Sequence, residues 1–334
     1  MPSSTVRTFD DPHEYQTSIR ASDVKVVVTA PGDFRAELTR IDLHRVWMQR
    51  SRTSLPMVAH AKMHKNRAAI LFPTDPGQMF MYQSGMELPF GAMVFNALEG
   101  EFHLRSSPEF QWGAMSLNPE DLLSAGRALV GHDVIAPAMM RVVRPPPHLM
   151  SRLLNLHSAA GHLAATAPDI LAHPEVARAV EQQLVRGMIA CLTDPATAET
   201  SRPSYKRLAV MRRFEQLLEA NQDQPLYLPE VCAALGVTDR TLRLLCHEHL
   251  GMNPHRYLWM RRMHLARHRL ALADGTKKTV TEIATDYGFG ELGRFAVSYR
   301  QLFGESPSAT LRRPADDRPP LRIDRFDALI CVPA

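Results

Sequence analysis

Arg240, Arg243 and His247 follow one another three and four residues apart, with Thr241 and Leu244 among them. On an α-helix that spacing lines all five along one surface, while Leu242, Leu245, Cys246 and Leu250 fall on the opposite, apolar one. Guanidinium groups so placed can donate in pairs to O6 and N7 of guanine, and the leucine beside them can meet a thymine methyl. Thr238 stands just ahead as an N-cap whose hydroxyl would accept from a free N–H of the first turn. The plainer alternative is a solvated basic face. Recurrence argues against it: about fifty residues on, Gly293, Arg294, Ala296, Val297 and Arg300 take the places of Arg240, Thr241, Arg243, Leu244 and His247 if one residue is inserted at the turn. Phe295 and Tyr299 are then the inward residues.

Arg240, Thr241, Arg243, Leu244, Gly293, Arg294 and Val297 are therefore the candidate base contacts. Thr238, His247, Arg256, Arg261, Lys277, Lys278 and Arg300 are the candidate phosphate contacts. The two sets are unequal. The first has two arginines for base edges, whereas the second has Arg294, an apolar Val297 and Arg300, so most base preference is expected in the first.

Both sets sit in a repeated frame. Glu230-Val-Cys-Ala-Ala-Leu-Gly236 returns as Glu282-Ile-Ala-Thr-Asp-Tyr-Gly288, and Leu250-Gly251-Met-Asn-Pro254 as Phe303-Gly304-Glu-Ser-Pro307. Each frame predicts a short helix with a small residue at its crowded turn (Cys232, Ala284), a glycine that permits the reversal, and a second helix free to enter a groove. A helix over Pro254 to Ala273 joins them, with Tyr257, Leu258, Met263, Ala266 and Leu270 inward and Arg256, Arg261, Arg267 and Arg269 outward. About twenty residues make about 30 Å, close to one turn of DNA, so one chain can address two successive major grooves.

The run Leu235-Gly236-Val237-Thr238-x-Arg240-Thr241-Leu242-Arg243 resembles the DNA-binding domain of AraC/XylS-type transcription regulators. So do Gly251-x-x-Pro254-x-x-Tyr257-Leu258, Arg262-Met263-x-x-Ala266-Arg267, Ile283-Ala284-x-x-x-Gly288-Phe289, Phe295 and Phe303-Gly304-x-Ser306-Pro307. The resemblance covers about a hundred residues. It implies an all-α domain of seven helices with two helix-turn-helices, binding promoter DNA beside RNA polymerase and most often activating transcription. Gly293 and Val297 depart from the polar or basic residues usual at those positions, and Cys246-His247 from a commoner Phe-Lys pair. Glu99 to Leu104 and Trp112 to Leu117 resemble, more faintly, the cupin-like sensor domains of the same family.

Charge follows this division. The chain of 334 residues carries +4 overall, but residues 204 to 313 hold about 17 Lys/Arg against about 11 Asp/Glu, which leaves the remainder near −2. No apolar run reaches the roughly 18 residues of a membrane span, and the first residues lack the core of a secretory signal. A cytoplasmic protein, nucleoid-associated when bound to DNA, is expected. Cys191, Cys232, Cys246 and Cys331 are scattered, without disulfide or zinc spacing.

The expected class is multidomain α+β. Residues 1–24 read as an arm. Residues 25–145 read as a β-rich sensor domain, an antiparallel, cupin-like barrel of short runs such as Val24 to Val28, Ala36 to Ile41, Leu43 to Met48, Ala68 to Phe72 and Met79 to Tyr82. Residues 146–193 read as helices at about 148–165 and 174–192, whose apolar stripes pack on the barrel, pair two chains as a homodimer, or do both. Residues 194–203 read as a linker, 204–313 as the DNA-binding domain and 314–334 as a tail.

A small organic effector is expected in the barrel, with Trp47, Phe72, Phe80, Phe95 and Trp112 as candidate lining residues, each of which also suits plain core. The open alternatives are control by a partner protein or no ligand at all. A metal-dependent cupin enzyme is the remaining rival. His44, His60, His64 and His103 lack the His-x-His-and-Glu pattern it needs, and no nucleophilic triad has a local signature, so no metal, cofactor or catalytic residue is assigned.

Overall fold

A computed structural model describes residues 2–201, 204–221, 226–275 and 277–312. The expected tail at 314–334, with Cys331, and the end of the linker at 202–203 lie outside the described residues. The chain divides into two compact units, one holding the described residues up to 261 and the other those from 262 onward.

The first unit opens with β1 (Ser3–Phe9), helix α1 (Pro12–Ser18), β2 (Ser22–Val28), β3 (Ala36–Asp42), β4 (Trp47–Thr53), β5 (Met57–Met63) and β6 (Ala68–Pro73). It continues through β7 (Met81–Gln83), β8 (Met86–Glu87), β9 (Met93–Phe95), β10 (Glu101–Ser106), β11 (Phe110–Leu117), α2 (Pro119–Val130) and β12 (Arg141–Arg144). Helices α3 (Pro147–Thr166), α4 (Pro168–Ala172) and α5 (Pro174–Thr193) follow, then β13 (Ala198–Ser201). The strands form two sheets rather than one closed barrel: β1-β3-β4-β11-β6-β9-β12-β13 and β2-β5-β10-β7-β8.

Period-two patterning sorts side chains between two cores. Along β6, Ala68, Ile70 and Phe72 join Met115, Leu153, Leu184 and Met188 beneath α3 and α5. The alternate residues Ala69 and Leu71 join Val26, Met57, Ala59, Leu104 and Trp112 between the sheets. The stripes of α3 and α5 are thus covered by the chain's own sheet, and Leu153, Leu184 and Met188 are not left for a second chain. Two local expectations change. Residues 3–9, read as part of an arm, pair with β3 over seven residues as an edge strand, Ser3 opposite Asp42 and Phe9 opposite Ala36. Their side chains are mostly exposed, so no apolar period marked them. The run from Leu43 to Met48 is the β3–β4 hairpin: Leu43 N donates to Val46 O at 2.9 Å and the strand resumes at Trp47.

The first unit closes with α6 (Tyr205–Ala220), α7 (Leu228–Leu235), α8 (Asp239–Leu250) and the start of α9 (Pro254–Leu272). The second unit holds the rest of α9, α10 (Val280–Asp286), α11 (Leu292–Phe303) and α12 (Pro307–Arg312).

Candidate nucleic-acid interface and ligand cavity

Local chemistry sets the first helix-turn-helix. Glu230 reaches back to accept from Tyr227 N at 3.0 Å at the start of α7, and Gly236 ends it at φ 66°. That left-handed conformation costs glycine little and lets Val237 N return to Cys232 O at 3.1 Å. Thr238 Oγ1 then accepts from Thr241 N at 3.2 Å as the N-cap of α8. Leu242, Leu245, Cys246 and Leu250 are buried, while Arg240, Thr241, Arg243, Leu244 and His247 are exposed. Leu244 is 57% exposed, free to meet a thymine methyl. Among the described residues Arg240 makes no ion pair; Arg243 Nε donates to Asp239 Oδ2 at 2.8 Å, which aims its guanidinium along the helix.

The second unit repeats the device. Thr279 and Glu282 form a reciprocal capping box at 2.7 and 3.2 Å, and the backbone N–H of Thr279 holds the Glu282 carboxyl below its usual range. On α11, Phe295 and Tyr299 are buried and the Tyr299 hydroxyl meets Thr310 Oγ1 at 2.8 Å. Gly293, Arg294, Val297 and Arg300 are exposed, Val297 at 59%. No side chain caps α11, and Arg294 is drawn to Glu291 at 3.1 Å.

Behind α8 lies a buried polar cluster. Glu215 of α6, 0% exposed, accepts from His103 Nε2 of β10 at 2.9 Å and Tyr257 Oη at 2.8 Å through one oxygen, and from Arg261 Nη1 at 2.8 Å through the other. Burial alone would raise its pKa; the His103 hydrogen bond and the Arg261 charge overturn that and hold the carboxyl well below the usual range. For His103, burial outweighs Glu215 and lowers the pKa, so the ring is neutral and donates. Outward residues of the smaller sheet extend the contact: Lys25, His60 and His103 stand in register across β2, β5 and β10, and Lys25 Nζ reaches Glu219 of α6 at 2.9 Å.

The inward residues of those strands floor a cavity of about 670 Å3, its open mouth included, lined by Met57, Ala59, Met63, Phe102 and Leu104 under Trp47 and Trp112.

Residues 231–313 match the helix-turn-helix domain family. A probable thc operon regulatory protein of Rhodococcus erythropolis is 34% identical over 159 residues, 48% of this chain and 48% of that protein. A XylDLEGF operon transcriptional activator of Pseudomonas putida is 34% identical over 149 residues, 42% of this chain and 45% of the relative. The C-terminal part of the chain is an AraC/XylS-type domain. The chain spans about half the length of the curated relatives it matches. Among solved structures, the AraC-like transcriptional activator CuxR aligns over 78% of this chain and 94% of its own at 16% identity, with a TM-score of 0.40.

Within the AraC/XylS-type domain, the exposed faces of α8 and α11 bring Arg240, Thr241, Arg243 and Leu244 together, and separately Gly293, Arg294 and Val297. Thr238, His247, Arg256 and Arg300 are exposed; Lys277 and Lys278 stand 3.8 and 3.6 Å from Asp274 and Asp286. Arg261 is a correction. Expected on a phosphate, it is 8% exposed and bound to Glu215, so it has no reach to DNA. Of the expected cavity residues, Trp47 and Trp112 line the space, whereas Phe72 and Phe95 face the core beneath α3 and Phe80 lies outside the lining, over Arg105. Phe72 and Phe95 sit on the wrong parity of their strands. The sequence reading missed Glu215, although its place among Met211, Phe214 and Leu218 on the inward face of α6 was a signal. Among the described residues no cluster of His, Cys, Asp or Glu suits a metal ion, and no helix is long and apolar enough to cross a membrane.

Proposed function

We propose that the protein is a sequence-specific DNA-binding transcriptional activator, controlled by a small organic effector held between its two sheets. The observation that carries the reading is the outward face of α8, where Arg240, Thr241, Arg243 and a largely exposed Leu244 project from a helix fixed by a capping threonine and a buried underside. The operon activators among its relatives support regulation rather than catalysis. The resemblance adds promoter DNA, RNA polymerase and a second copy of the chain as partners, and a cytoplasmic, nucleoid-associated location.

Selection of bound sites from a random duplex pool, followed by competition binding, tests it. Arg240→Ala and Arg243→Ala are expected to lose about 1–3 kcal/mol of discrimination at one base pair each. If both variants keep the wild-type preference, α8 does not read bases. Sedimentation with and without the selected duplex tests the pairing, which a monomer in both conditions refutes.

A further inference from the structure

The cavity has an electrostatic character that selects among ligands. Small residues make the space: Ala59 and Ala61 on β5, Ala69 on β6 and Ala114 on β11 all face it. Most of its polar side-chain atoms are already engaged, the Ser22 hydroxyl and the Asn96 amide nitrogen excepted. Tyr15 Oη meets Ser51 Oγ at 2.9 Å and accepts from Trp112 Nε1 at 3.2 Å. Gln49 accepts from Arg20 N at 2.8 Å and donates to Arg20 O at 2.9 Å, which uses both ends of its amide. Asn96 Oδ1 accepts from Gln83 Nε2 at 2.6 Å, and Ser116 Oγ accepts from Arg67 Nε at 3.2 Å. Arg20 is the one charged residue in the lining, and its guanidinium is paired with Asp42 while lying 5.6 Å from the Trp47 ring centre.

A carboxylate or ammonium ligand would therefore lose its hydration and meet in the lining no charged group but Arg20, which Asp42 already pairs. An apolar ligand loses nothing comparable and gains in proportion to the apolar surface it removes from water. We infer that the cavity takes an uncharged, predominantly apolar small molecule and discriminates against organic acids and amines of the same shape. This rests on the effector reading above and narrows it.

The test uses the purified full-length chain and ligands that share one ring: toluene, benzoate and benzylamine, with naphthalene and 2-naphthoate as a larger pair. Binding is read from the emission of Trp47 and Trp112, which line the cavity, and from the shift in melting temperature. At least one neutral member is expected to bind with a Kd ten or more times lower than its charged counterpart. Ala61→Phe, and the milder Ala59→Leu should the larger side chain prevent folding, are expected to weaken that binding at least tenfold by filling the space. A charged member that binds as tightly as its neutral counterpart, and is lost in the filled variants, overturns the ligand class while leaving a cavity effector in place. Binding that survives both filled variants places the ligand elsewhere and overturns the inference. Failure of every member of both series to bind overturns the inference and withdraws its support from the effector reading.

Discussion

Replacing Glu215 by glutamine removes one charge from a place where nothing else can supply it. The carboxylate is fully buried and takes three donors at 2.8–2.9 Å. A glutamine amide can accept from Arg261 only through its oxygen, which turns its NH2 toward His103 and Tyr257, and these accept it only after a change of tautomer and of hydroxyl orientation. Arg261, 8% exposed, is left without its countercharge. Breaking a buried pair in this way costs about 3–5 kcal/mol, a large part of the 5–15 kcal/mol that holds a typical domain together. The three tryptophans, Trp47, Trp112 and Trp259, all lie in the first unit, so their emission during urea unfolding reports that unit alone. At a slope of about 3 kcal/mol per molar urea, the midpoint should fall by about 1 M or more with the slope unchanged.

Acid adds a second reading of the same variant. A carboxyl held below its ordinary pKa stabilises the fold above about pH 4.3, and that contribution is lost as pH falls through the folded value. His103 is held neutral, so stability starts to fall below about pH 6.5, where the unfolded chain takes up a proton that the folded one refuses. His249 and His157, each pushed down to about 3 with burial the largest cause, act in the same direction. Glu215→Gln should keep the decline that starts near pH 6.5 and flatten the further loss below about pH 4.3. The double replacement Glu215→Leu with Arg261→Met, which removes both charges, should recover much of the lost stability. A loss under about 1 kcal/mol for Glu215→Gln, together with an unchanged acid limb, would falsify the assignment of this cluster as an ionised, mutually compensating set.

Salt titrations separate the arginines. Arg300→Ala should weaken binding to all duplexes alike and reduce the slope of log K against log salt by about 0.9, whereas Arg261→Ala should lower the urea midpoint and leave the slope unchanged. A reduced slope for Arg261→Ala would restore it to the DNA-facing set. Two glycines with left-handed backbone should respond differently to alanine. Gly236, with φ 66° and open space where a Cβ would go, should cost about 1 kcal/mol from backbone strain. Gly251, with φ 71° and the Arg105 side chain in the path of a Cβ, should cost that strain plus the displacement of Arg105 from the Tyr82 ring, over which its guanidinium lies at 4.3 Å. Equal urea midpoints for the two variants would show that the contact with Arg105 carries no weight.

Much of the DNA-facing half was legible because its signals are local. A glycine six residues after a glutamate, a threonine before a helix and an apolar face every third or fourth residue each act within a turn or two of chain. The fate of Arg261 was not local. Helix α9 carries Arg256, Arg261, Arg262, Arg267 and Arg269, and only the position of Glu215, forty-six residues earlier, decides that Arg261 turns inward. The cavity was half legible for a related reason. Strands β6 and β9 are buried on both faces, so their runs are continuously apolar and do not show which parity faces the second sheet. Trp112 lies on the parity that faces it, and Phe72 and Phe95 do not. The edge strand β1 was invisible because backbone pairing with β3, rather than apolar patterning, holds it in register.

The row Lys25, His60 and His103 bears on where this molecule can be cut. A fragment beginning at residue 204 would carry off Glu215, Glu219, Tyr257 and Arg261 and leave behind the sheet that closes over them. Arg261 and Glu215 would keep each other, but one side of their cluster would open to water. The first reading helix is therefore not a cassette. A chimaera that grafts it onto another sensor must bring the outward residues of β2, β5 and β10 along, or supply new donors for Glu215 and a new cation for Glu219. By the same reasoning, the linker is a boundary of composition, whereas the two compact units divide further on, within α9.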